Sequence, residues 1–233
     1  MCFNTQSSLT AFIIGSSACL YLISQKHYYY GLFGLSIVIM QLLEYFAHRS
    51  IKNKSLQLNI LSGKLMLWTV FLQPLIYCLL LTIIPPKGVS FLLPSVRNLI
   101  ASFLICIYVV IFVFYLRYLS QQKLYRVSFI NKCNRVCRLN WKFLDGRNSL
   151  CILTLTIYFL IINLYIFYYP GREIVNISNF LFLFLIIISI LYVIFKEKIK
   201  TFPLLISSFG SLWCFLAVVY PIIMCVYAYN KLI

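Results

Sequence analysis

Seven stretches of this chain are each long and apolar enough to cross a bilayer as a helix, and little lies between them from which a soluble core could be built. A hydrocarbon layer of ~30 Å is crossed by ~20 residues of helix. The stretches run over residues 8–25, 28–47, 56–84, 97–116, 149–169, 177–195 and 203–229. Backbone amides in hydrocarbon have to be satisfied within their own element, so each stretch is expected to be helical. The expected fold is all-α: one polytopic transmembrane domain, residues 1–233, of about seven helices. Composition leads to the same class. Hydrophobic residues make up 63% of the chain and charged ones 10%, where soluble domains run near ~45–50% and ~25%.

The net charge of +16 would suit a nucleic-acid partner, but the cations fall between the apolar runs instead of interleaving with them. No nucleic acid is expected, and the bias is read as membrane topology. Loops two, four and six carry three, eight and three Lys and Arg residues; the opposite face carries five, and Lys64 lies inside a span. Fourteen against five places the N-terminus and the even loops in the cytosol and the C-terminus outside or in a lumen. No basic residue precedes Lys26, so the first run is expected to stay as a helix and not to be a cleaved leader. Most of the nine cysteines lie inside apolar runs, and no disulfide framework is inferred.

The basic cytosolic loop at 117–148 is the one sizeable segment outside the membrane. On a helical wheel Val127, Ile130, Cys133, Cys137, Trp141 and Leu144 fall on one arc, and Lys132, Arg135, Arg138 and Lys142 on the opposite one. That pattern predicts an interfacial helix whose cations face anionic inner-leaflet lipid. A solvated basic loop that only enforces topology is the alternative. Cys133, Cys137 and Cys2 are candidates for acylation.

Polar chemistry is concentrated between Ser36 and Pro74. Gln41 and Glu44 are three apart and share a helical face, which is expected to look into the bundle. Lys64, about two turns into the third run, is expected to pair with Glu44, and Gln73 lies ~2.5 turns deeper. With Trp213, near mid-membrane on the seventh run, these residues are expected to line a cytosol-facing polar pocket; the alternative is that they only hydrogen-bond helices together. His48 is read as an ordinary residue of the membrane edge. His27 is at the opposite face and only four residues are acidic, so no metal site is expected, and no cofactor. The last run lacks a lysine that could form a retinal Schiff base, and a cytosolic N-terminus disfavours a G-protein-coupled receptor.

The opening Met1-Cys2-Phe3, Gln41-Leu-Leu-Glu44, Gln73-Pro74, and Gly210-Ser211-Leu212-Trp213-Cys214 with Pro221 resemble an uncharacterised family of seven-helix membrane proteins. That family is known from large DNA viruses and bacteria, and its members commonly begin Met-Cys-Phe-Ser. Asn4 stands here in place of the usual Ser. The resemblance implies a fold and a shared polar site at Cys2, Gln41, Glu44, Gln73, Trp213 and Pro221, not a reaction. Small-molecule or lipid binding, or transport, is the function expected. The alternatives are a structural membrane or viral-envelope component and, less favoured, a lipid-modifying enzyme using Glu44 as base and Cys2 as nucleophile.

Overall fold

Hydropathy draws this chain into long helices, and the way each helix ends decides where the next one lies. The computed structural model describes residues 5–84, 95–129, 139–144, 148–167 and 218–230, with Phe184, Ile187 and Leu191. In chain order its elements are α1 (Thr5–Ser24), α2 (Tyr28–Lys52), α3 (Leu56–Ile83), α4 (Ser95–Gln122), β1 (Val127–Phe129), β2 (Leu139–Trp141), α5 (Ser149–Phe167) and α6 (Val219–Asn230). Stretches within α1 to α4 are long and apolar enough to cross a membrane. The fold is therefore predominantly helical and of a membrane type. Phe184, Ile187 and Leu191, spaced three and four apart, are helical and exposed, an apolar stripe on one helical face. The rest of the expected sixth span, and the expected seventh before Val218, lie outside the described residues.

Helices α1, α2 and α4 end the same way. Lys26, Lys54 and Lys123 each take a left-handed backbone, with φ of 63°, 53° and 52°. In each case the next residue's amide bonds the carbonyl five back: His27 to Leu22 at 2.8 Å, Ser55 to Ser50 at 2.9 Å, Leu124 to Leu119 at 3.2 Å. This is the Schellman closure, built on lysine where glycine is usual. A cation at that position complements the negative end of the helix dipole, which offsets part of the left-handed cost. These closures stop the helices and turn the chain sharply, so α1–α2 and α2–α3 become antiparallel hairpins. Starts are capped too: Ser55 accepts from the Leu58 amide at 3.4 Å, and Asn148 from the Leu150 and Cys151 amides at 2.8 and 3.2 Å.

Helix α2 lies at the centre. It packs on α1 where Gly31 lets the backbones approach: a methyl there would sit 2.8 Å from the Cys19 carbonyl. On its other side it meets α3, and Phe33 meets Tyr77 of α3 and Tyr220 of α6 edge-on, with centroids 5.1 and 6.0 Å apart. Helices α3 and α4 are spaced by aromatic rings. Phe112 of α4 lies 5.0 Å from Phe71 and 5.5 Å from Trp68. Pro74 has no amide for the preceding turn of α3, and Tyr108 of α4 donates its hydroxyl to the Phe71 carbonyl in that turn, at 2.6 Å.

Helix α2 continues through Lys52 and α4 through Gln122, past the apolar runs that end at 47 and 116. A loss of hydropathy ends a span, not a helix. The interfacial helix expected in the 117–148 loop is not formed at its ends. Val127–Phe129 and Leu139–Trp141 are instead antiparallel strands, with Val127 opposite Trp141 and Phe129 opposite Leu139. Strand β2 alternates in burial, and the hairpin buries Val127, Leu139 and Trp141 on the bundle end, where a helix at the lipid surface would leave them outside. Residues 130–138, with Lys132, Cys133, Arg135, Cys137 and Arg138, lie outside the described residues.

Candidate functional site

The polar face of α2 points inward. Counted at ~100° per residue, Gln41, Glu44 and His48 cluster about the direction opposite Ile39 and Phe46. Ile39 and Phe46 are exposed, whereas Gln41 and Glu44 are wholly buried and His48 is 4% exposed. Glu44 is the one acidic residue among those described. His48 follows it by four residues, so carboxyl and imidazole rise from one face about one turn apart. The His48 ring lies 5.6 Å from that of Phe129 in β1, so it is covered by the hairpin.

The hairpin is held by a residue that the sequence reading passed over. Asn59, 7% exposed in the first turn of α3, accepts from the Val127 amide at 3.0 Å and donates to the Val127 carbonyl at 3.1 Å. Its side-chain amide thus serves as one more residue of a β-ladder. It also donates to Ser50 at 3.0 Å, and Ser50 donates to the Ala47 carbonyl at 2.7 Å. Tyr115 of α4 adds a hydroxyl bond to the Phe143 carbonyl. Gly63, one turn above Asn59, is required because a Cβ there would collide with the Tyr125 carbonyl. Two signals were available: an asparagine in an apolar run, and its place at i, i+7 and i+14 with Met66 and Gln73 on the α3 stripe that faces α2.

Gln73 is on that stripe, and its amide joins three helices. Nε2 donates to the Ser36 carbonyl of α2 at 3.3 Å, and Oε1 accepts from Tyr158 of α5 at 2.9 Å. Lys64 is placed differently from the expectation. It matches Glu44 in depth, eight residues along α3 as Glu44 is eight before the end of α2. Its azimuth, however, is ~140° from Asn59, away from α2. It is exposed, with its ammonium 5.3 Å from the centre of the Tyr125 ring. Lys64 is thus engaged with the hairpin's approach and not with Glu44.

Lys64 borders a cleft of about 260 Å³ together with Ile60, Ser120, Lys123, Tyr125 and Arg126. Gln41, Glu44 and Gln73 are not part of it. Lys142, just after β2, is exposed. Cys2 and Trp213 lie outside the described residues. No group of three or more potential metal ligands occurs among the described residues. Chemically, the α2 face offers a carboxyl and an imidazole within an apolar bundle, and the cleft offers three cations to an anion. The chain matches no family model, no curated protein and no solved structure.

Proposed function

We propose that this is a multi-pass membrane protein of seven spans, with its N-terminus in the cytosol, that binds or carries a small polar molecule or lipid headgroup at the cytosol-facing end of its bundle. The ligand-facing residues are Gln41, Glu44 and His48 of α2. Burial of Glu44 inside a membrane-length helix, about one turn before the end of the apolar run 28–47, carries this reading. A carboxyl costs ~2.5–3.5 kcal/mol at the centre of a span and less towards its end, and ionisable groups kept inside spans mark substrate and proton pathways. The apolar runs at 177–195 and 203–229 complete the count of spans, and the surplus of Lys and Arg in even loops supports the orientation. The resemblance of Gln41-Leu-Leu-Glu44 to the motif of a seven-helix membrane family favours the same face of α2. Native mass spectrometry of the gently extracted protein tests the proposal. A co-purifying small molecule or lipid is expected on the wild type and missing from Glu44→Gln, over and above any lipid that both retain elsewhere; identical bound masses in both samples sink it.

Gln73 favours a second reading. Its bonds to Ser36 and Tyr158 are within the bundle itself, so it acts as an interhelical tie typically worth ~0.6 kcal/mol in membranes. A structural membrane or envelope component would need no more than such ties. Identical bound masses on wild type and Glu44→Gln select this reading.

A further inference from the structure

We propose that the cleft between the start of α3 and the end of α4 is a binding site for the phosphate of an anionic membrane lipid, separate from the α2 face. Three cations border it: Lys64, Lys123 and Arg126. All three are exposed, and the one carboxylate among the described residues, Glu44, is buried elsewhere, so no described acid neutralises them. Ser120 adds a hydroxyl donor, and Tyr125 holds the Lys64 ammonium over its ring at 5.3 Å. Three cations and a hydroxyl around one space supply donors for the oxygens of a phosphate group and more than offset its one to two negative charges. At about 260 Å³ the cleft falls just below the ~300–1,000 Å³ of sites that enclose a whole small molecule, which suits a headgroup whose remainder lies outside.

The remainder has a place. Leu61, Leu65 and Trp68 lie on the arc of α3 next to Lys64 and are 53%, 44% and 44% exposed. On α4, Val113 and Phe114 are exposed one to two turns before Ser120. The cleft therefore opens sideways onto the apolar surface that faces lipid, and a headgroup bound there keeps its acyl chains in the bilayer. A soluble phosphate would gain only the polar half of this arrangement.

The backbone supplies a clean test. Lys123 is in a left-handed conformation that glycine adopts without strain, so Lys123→Gly removes the charge and keeps the turn. Lys26→Gly is its control: the same helix ending, far from the cleft. Full-length protein is placed in phosphatidylcholine nanodiscs with graded phosphatidic acid, and retained lipid is counted by native mass spectrometry after release into mild detergent. A parallel sample in phosphatidylcholine alone receives inorganic phosphate, with thermal stability as readout. Phosphatidic acid is expected on the wild type and on Lys26→Gly. Retention is expected to fall roughly fivefold in Lys123→Gly and again in Lys64→Met, and to weaken with added salt. Equal retention by Lys123→Gly and Lys26→Gly overturns the site. Stabilisation by inorganic phosphate without retention of phosphatidic acid overturns the lipid assignment in favour of a soluble anion.

Discussion

Lysine in a left-handed conformation is an unusual choice, and this chain makes it at three helix ends. The backbone cost is ~1–2 kcal/mol for a residue with a Cβ, set against ~0.3–1 kcal/mol from a cation at the end of a helix dipole. Glycine removes the first term and the second together, so Lys54→Gly is expected to raise stability by about 0.5–1 kcal/mol. Lys54→Val keeps the strain, adds a β-branch and loses the charge, and is expected to lower stability by about 1 kcal/mol or more. Thermal unfolding of the purified protein in detergent ranks the three. A valine variant as stable as the glycine variant would remove this account of the turn. Such endings were not legible in the sequence, because the usual signal is a glycine and none stands at these positions. The burial of Gln41 and Glu44 was legible, since an amide and a carboxyl three residues apart have only one face on which to avoid lipid.

At the scale of elements, the hairpin shows how a short basic loop becomes part of the bundle. Its strands have three residues each and would be marginal alone. What holds them is α3: the Asn59 amide completes the ladder at Val127, and Gly63 leaves room for the chain at Tyr125. Asn59→Leu strips both Val127 backbone groups of their partner in a buried place, at ~1–3 kcal/mol each. A loss of about 2–4 kcal/mol in hairpin docking is expected, read as faster hydrogen exchange at the Val127 amide. Gly63→Ala is expected to release the same amide by collision while leaving the Asn59–Ser50 bond in place. Unchanged protection in both variants would mean that the hairpin is held by its apolar side chains alone. The helical-wheel reading of this loop failed for a definite reason. Positions 127 and 141 are fourteen apart, which places them on one helical arc, and they are also cross-strand neighbours. Pattern alone could not separate the two; the decisive contact, with Asn59, is 68 residues away in the chain.

For the whole molecule, the long-range contacts gather the basic segments at one end. The Asn59–Val127 bonds tie the turn between α2 and α3 to the segment between α4 and α5, so Arg49, Lys52, Lys54, Lys123, Arg126 and Lys142 share that end, all of them exposed. Between the ends runs a surface of exposed apolar side chains, among them Ile13, Leu20, Leu61, Val113, Phe114 and Val226. A charge surplus at one end of such a surface sets orientation during insertion, because cations in short loops resist translocation. The hairpin end is therefore expected to be cytosolic. Gln122 lies at that end and Tyr28 at the other, both exposed and both neutral, so a cysteine at either position leaves the charge bias intact. In a background with the native cysteines replaced, an impermeant maleimide is expected to label Tyr28→Cys in intact cells and Gln122→Cys only after permeabilisation. The reverse pattern would invert the orientation. Labelling of both from the same side would place the first turn of α2 and the end of α4 on one face of the membrane, which an antiparallel α1–α2–α3 arrangement of spanning helices does not permit.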